Sequence, residues 1–351
     1  MLNTFSDPFL DFAFRTGVLA SLLTVVLVVS IMILRLHRRW VERHSRIFMG
    51  VWRPALMLGM MSDAVSALPP LRRRDHWLFL KLWNHFQESV RGQSSLRLGR
   101  LAYRLNCDLI AHGLLRHGNR TERLFAILTL GHMRDRSAWD LLLHEVDKSN
   151  RSTSLYAARA LVQISTQDAV ESVVPRLIQR DDWELTQVAT LLQNFRPALG
   201  AVLLQLLPTL PEERVLRALR LADAFRLHVD AEVLLPWLDP GQPIERLGAC
   251  LRLAAGAQVL NPIRALTRHP DWRVRVQAAR ALGRLCQPED APLLTSLLSD
   301  PQWWVRYRAA QSLIGLPFAS REQLQALIDS QSDRYAREIF MQVAAESRPG
   351  D

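Results

Sequence analysis

The sequence predicts an all-α chain: an α-solenoid of about seven or eight helix pairs, preceded by one N-terminal transmembrane helix. Three observations predict it. A helix-sized motif returns at an offset of 31 residues in the C-terminal half, as at Pro270 and Pro301. Nineteen consecutive residues near the N-terminus, Thr16 to Leu34, carry no charge. Leucine, alanine and arginine dominate while only 15 of 351 residues are glycine, a composition that favours helix over strand.

The first element is the uncharged run TGVLASLLTVVLVVSIMIL. As a helix it spans roughly 28 Å, close to the hydrocarbon thickness of a bilayer. A cleaved signal peptide fits poorly, because Asp7 and Asp11 precede the run and RLHRRWVERHSR follows it, without small residues at the exit. Arg35, Arg38, Arg39, Arg43 and Arg46 lie immediately after the span. The positive-inside rule places that side in the cytoplasm. The expected location is therefore the inner membrane of a bacterial cell, single-pass, with the C-terminal body cytoplasmic.

The second element, residues 35–104, is strongly basic, with fourteen Lys/Arg against four Asp/Glu. The preceding residues 1–34 sum to −1 and residues 105–351 to +1, so the whole excess sits beside the span. Ile47 to Met61 reads IFMGVWRPALMLGMM, apolar but interrupted by Arg53 and Pro54. It is expected to form an interfacial helix, with arginines meeting anionic lipid headgroups. Arg72, Arg73 and Arg74 extend the same surface after Pro69 and Pro70. In HWLFLKLWNHFQESV, Trp77, Leu80, Trp83 and then Phe86 and Val90 fall at helical spacing. Such a stripe packs on a neighbouring helix or, at Trp77 and Trp83, serves as a docking face for a membrane partner.

The third element is the repeat array. PDWRVRVQAARALGRL from Pro270 aligns with PQWWVRYRAAQSLIGL from Pro301. Asn119 and Asn150 open two earlier units at the same offset, Asp181 continues the series, and SDRYAREIF closes it. Units near Glu212 and Gln242 drift by one or two residues. Within a unit, Val274, Ala278, Ala279 and Leu282 form one apolar helical stripe. Leu294, Leu297 and Leu298 of APLLTSLLSD form the opposing one. Neither helix buries its face alone, so stacked pairs are needed to build a continuous core. Asp271 with Arg275, and Asp300 with Arg306, are expected to form a turn-to-helix charge ladder. Trp183, Trp272 and Trp303 recur in the turn, where they are expected to staple the helix start. Arg280, Arg284 and Arg308 are expected on the exposed helix face, as candidates for partner binding.

DW-x-VR-x-x-AARALG-x-L at Asp271 to Leu285, and VR-x-x-A-A-x-x-L at Val305 to Leu313, resemble the HEAT repeat family in its short, PBS-lyase-type form. The resemblance covers roughly two thirds of the chain and implies an α-solenoid that works as a binding scaffold. The layout of a single span, a basic connector containing LWNHFQES and then short repeats looks like proteins accompanying membrane glycosyltransferases in bacterial exopolysaccharide systems. The family also includes phycobilin lyases, so an enzyme subunit is a second reading. A nucleic-acid-binding HEAT body is a third, and the near-neutral 105–351 segment argues against it.

The chemistry-bearing motifs are sparse. There is no G-x-x-x-x-G-K-[ST], no G-x-S-x-G and no H-E-x-x-H in the sequence. Cys107, Cys250 and Cys286 are far apart, which fits a reducing compartment and buried thiols. His112 and His117 lack companions at ligand spacing. No cofactor, metal or catalytic residue is read from the sequence. The expected organisation is a short segment 1–15, a transmembrane helix 16–34, a juxtamembrane connector 35–104 and a repeat body 105–351. The expected partners are membrane-associated proteins and anionic lipid headgroups, with no nucleic acid.

Overall fold

The computed structural model describes residues 8–61, 68–148, 150–318, 320–330 and 333–346. Every regular element among them is helical. By its internal contacts the chain divides into two compact units, Met1–Ala138 and Trp139–Asp351.

Among its described residues the first unit contains five α-helices: α1 (Pro8–Met61), α2 (His76–Ser89), α3 (Gln93–Arg104), α4 (Cys107–His117) and α5 (Arg120–Met133). Helix α1 has two contrasting parts. From Thr16 to Leu34 every side chain is exposed, Leu19 by 70%. The hydroxyls of Thr16, Ser21 and Thr24 donate to the carbonyls of Phe12, Gly17 and Ala20. Those bonds satisfy within the helix the polar groups that a hydrocarbon environment would leave unpaired. The helix is long and apolar enough to cross a membrane.

The C-terminal part of α1 behaves differently. Phe48, Trp52 and Leu56, spaced four apart, are buried. The Trp52 ring meets the edge of Phe79 on α2 at 4.8 Å between centroids. Arg97 on α3 donates to the carbonyls of Met60 and Met61. The segment 47–61, whose apolar run is interrupted at Arg53 and Pro54, was expected to form an interfacial helix; it is the C-terminal part of α1, which runs on through Pro54. A proline removes one helical hydrogen bond, and the apolar groups buried on both sides of it hold the axis in place.

Helix α2 packs against α5, so helices on both sides of residue 104 share one core. Trp83 and Phe79 are fully buried there, and Trp83 Nε1 donates to the Leu98 carbonyl at 3.0 Å. A capping box at Asn119, closed by Glu122, starts α5.

The second unit comprises α6 (Trp139–Val146), α7 (Arg151–Ile164), α8 (Thr166–Gln179), α9 (Leu185–Leu192), α10 (Arg196–Leu206), α11 (Glu212–Ala224), α12 (Ala231–Leu234), α13 (Ile244–Leu253), α14 (Leu260–Leu266), α15 (Trp272–Leu285), α16 (Ala291–Ser296), α17 (Trp303–Ile314), α18 (Arg321–Ser330) and α19 (Arg334–Glu346). From α7 onward the odd-numbered helices pack on one another in order, and the even-numbered ones return between them. The return helices α12 and α16 are reduced to 4 and 6 residues and end in 3-10 turns.

Burial follows the helical stripe. Val274, Ala278, Ala279, Leu282, Leu294, Leu298, Val305, Ala309 and Ala310 are at most 1% exposed, whereas Arg280 faces solvent. Gly283 sits where α15 and α17 come closest. A Cβ there would lie 2.5 Å from Ser312 Cβ. Arg226 and Cys286, just past α11 and α15, adopt positive φ near 50°, the left-handed cap that lets the chain turn back.

The charge ladder has a different register from the one expected. Asp271 accepts from the Arg273 amide and pairs with the Arg273 guanidinium, capping α15. Arg275 instead reaches the next repeat, where it grips both oxygens of Asp300 at 2.8 and 2.9 Å. Arg306 donates to the backbone carbonyls of Asp300 and Pro301, not to the carboxylate. The planar guanidinium explains the choice: one edge takes the Asp300 carboxylate while the other serves the His269 and Pro270 carbonyls. Arg246 likewise spans to Glu212 of the preceding repeat, through its side chain and its carbonyl. Arg246 and Arg275 thus tie successive repeats together, whereas Arg306 braces the turn before its own helix.

Candidate functional site

Two surfaces carry charge beyond what the packing uses. The first, in the Met1–Ala138 unit, follows the apolar helix. Arg35, Arg38, Arg39, Arg43, Arg46 and Arg53 are all exposed along α1, and Arg72, Arg73 and Arg74 are exposed beside the start of α2. Asp75 is the buried exception. It accepts a 2.6 Å hydrogen bond from His44, whose ring stacks on Trp40. This contact ties α1 to α2 just below the uncharged run. The neighbouring cavity, about 640 Å³, is lined by Trp40, Met49, Trp77 and Leu78 with Arg46, Arg74, Lys81 and Glu42 at its rim. Its lining is amphipathic, apolar and aromatic side chains together with three basic ones. Burial, with Arg73 reinforcing it, lowers the pKa of His76.

The structure separates the two tryptophans that sequence reasoning grouped. Trp77 lines this cavity and keeps part of its surface. Trp83 is a core residue, with no surface to offer a partner. Both lie on the predicted stripe, but the stripe is broad enough that its centre is covered by α3 and α5 while its flank stays open.

The second surface lies in the Trp139–Asp351 unit. A pocket of about 470 Å³ is lined by Asp223, Arg226, Leu227, Arg252, Leu253, Arg280 and Arg284. Asp223 pairs with Arg252 at 2.6 Å. Arg284 donates to the carbonyls of Leu251 and Ala254, which fixes its guanidinium without neutralising it. Burial, then the nearby Arg280, pushes the Arg284 pKa down. Arg308, next along the stack, is held by Gln311 and lowered for the same two reasons. Sequence reasoning found Arg280, Arg284 and Arg308 but missed Arg226 and Arg252, which sit in the drifted units.

Another polar cluster joins α4 to the turn after α5. His112 meets Asp135 at 2.9 Å and Ser137 at 3.0 Å, both through Nε2. A proton relay needs one ring nitrogen for each partner, and here the Ser137 hydroxyl donates to Asp135. The cluster is a staple on the turn after α5. Although burial opposes it, the Ser137 hydroxyl and amide, then His112, hold Asp135 below the usual carboxylate range. Cys107 and Cys250 are buried and their thiols are pushed up to about 12, so they are poor nucleophiles at neutral pH. Among the described residues, no group of three His, Cys, Asp or Glu is placed to hold a metal ion.

With this geometry in hand, comparison with known proteins gives one clear answer. Residues 231–314 and 260–344 match the family of HEAT repeats. The match spans about the C-terminal third of the chain, and the pairing of helices seen there extends back through α7. Among solved structures, the crystal structure of an engineered protein from a structural genomics consortium aligns over 78% of this chain and 79% of its own. It is 15% identical, with a TM-score of 0.26, too weak a likeness to bear on the fold. No curated protein matches the chain.

Proposed function

We propose that this chain is a membrane-anchored scaffold whose HEAT body recruits other proteins on the cytoplasmic side. The observation that carries the proposal is helix α1: a wholly exposed, uncharged segment continues directly into a helix that is packed into a folded unit. Exposing so much contiguous apolar surface to water is unfavourable, and a bilayer removes it. The nine exposed arginines beyond it supply the positive-inside signal and face lipid phosphates, each worth about 1 kcal/mol near an anionic surface. HEAT repeats are a fold suited to protein–protein interaction, and the paired polar groups described above serve packing. The layout extends the proposal to the enzyme served, a membrane glycosyltransferase of exopolysaccharide synthesis.

The reading is tested by topology. A reporter fused after Asp351 should behave as cytoplasmic in a bacterial host, with the chain resisting a carbonate wash of the membranes. Neutralising Arg35, Arg38, Arg39 and Arg43 together should give a mixed orientation. Periplasmic reporter activity from the unmodified fusion, or release by carbonate, contradicts the proposal.

A further inference from the structure

The arginine pocket in the repeat unit contains more positive charge than the fold neutralises. Four arginines line it against the single carboxylate of Asp223, and Asp223 is engaged by Arg252. Arg226 and Arg280 have no carboxylate partner among the described residues, and both are exposed. Arg284 is anchored by backbone carbonyls alone, in a position where Arg280 disfavours its charge. Packing like charges together costs stability and brings the repeats nothing in return. Arginine is used differently elsewhere in this unit: Arg246 and Arg275 each pair with a carboxylate of a neighbouring repeat, Glu212 and Asp300.

We propose that this pocket binds an acidic segment of a protein partner, with glutamate or aspartate carboxylates seated on Arg226, Arg280 and Arg284. The inference rests on the scaffold reading and names its partner's chemistry. Three features favour a carboxylate-bearing peptide. Asp223 on Arg252 already shows a carboxylate accepted at this wall at 2.6 Å. Guanidinium groups match carboxylates in a planar, two-point geometry. Leu227 and Leu253 add an apolar floor for the stems of acidic side chains. Nucleic acid needs a longer basic track, whereas residues 105–351 sum to only +1, so the positive charge is confined to a pocket the size of a few residues.

The test uses the full chain in detergent micelles and a dye-labelled glutamate-rich peptide, followed by fluorescence anisotropy. A matched glutamine peptide, inorganic phosphate and single-stranded DNA serve as competitors. The glutamate peptide should bind with strong salt dependence, and Arg280→Gln should weaken it about tenfold, as expected for the loss of a charge-assisted hydrogen bond. Arg280→Gln with Arg284→Gln should abolish it. Arg268→Gln, on an exposed arginine outside the pocket, should leave it within about twofold. Because Arg284 also ties down backbone carbonyls, Arg280→Gln alone decides the matter if the double variant melts early. Equal binding of the glutamine peptide, equal loss from Arg268→Gln, or affinity for phosphate or DNA without affinity for the peptide overturns the inference. If a protein still co-purifies with the chain while the acidic peptide does not bind, this inference fails and the scaffold reading stands. Absence of any co-purifying protein defeats the scaffold reading itself.

Discussion

Ala279→Asp is expected to destabilise the repeat unit by on the order of 3–5 kcal/mol, enough to melt its C-terminal repeats at growth temperature. Ala279 is fully buried on α15, and its carbonyl accepts from the Ser312 hydroxyl on α17. A carboxylate placed there would leave water for a position whose helix neighbours Ala278 and Leu282 are fully buried apolar groups. Its neighbour Arg280, one position along the helix, points the other way. Arg280→Ala should change stability by less than about 0.5 kcal/mol, because the side chain is exposed and lacks a fixed partner. Urea denaturation of the full chain in detergent, followed by circular dichroism, measures both. Equal loss from the two changes would mean that the helix face is assigned wrongly.

The second large effect is expected at Gly283. The position is helical with ordinary dihedrals, so a residue with a side chain gains up to about 1 kcal/mol of helix propensity over glycine. Sterics oppose that gain. A Cβ would stand 2.5 Å from both Cβ and Oγ of Ser312 and 3.0 Å from its Cα. None of these is the loose end of a flexible side chain, so α15 and α17 must move apart, breaking the bond from Ser312 to Ala279. Overpacking of this kind costs about 1–3 kcal/mol or more. Gly283→Val should therefore lower the melting temperature, and Ser312→Gly in the same chain should restore part of the loss. An unchanged or raised melting temperature in Gly283→Val would show that the two helices do not meet as closely as described.

Much of this fold was legible because one physical rule repeats. The 3.6-residue stripe of Ala278, Ala279 and Leu282, returning as Ala309, Ala310 and Leu313, specifies which face is buried and leaves Arg280 outside. Which partner a long side chain takes across repeats was not legible. Arg275 was assigned to Asp271 because they are four apart, but helix–helix register, which no local spacing encodes, brings Asp300 to it. Trp183, Trp272 and Trp303 show the same limit. They occupy equivalent positions in the motif, yet Trp183 precedes its helix and is fully buried with its Nε1 on Ser154, whereas Trp303 opens α17, remains 39% exposed and stacks on Tyr307.

The candidate surfaces divide in the same way. The exposed arginines of α1 follow directly from their place after an apolar run. The arginine pocket does not, because two of its residues, Arg226 and Arg252, belong to the units in which the motif drifts. Trp83 illustrates a further ambiguity: an aromatic stripe looks the same in sequence whether it faces a partner or its own core. Pro54 illustrates another, since a proline breaks a helix only when nothing else holds the two halves.

The central claim is a scaffold held at the membrane that grips a protein through its HEAT body. Affinity purification of the full chain from solubilised membranes, run in parallel with Arg280→Gln, tests it most directly. The account predicts that the chain is recovered from the membrane fraction together with a protein in near-stoichiometric amount. That protein should be depleted from the Arg280→Gln sample, with melting temperature unchanged. Recovery of the chain from the soluble fraction, or without any protein bound, would contradict it.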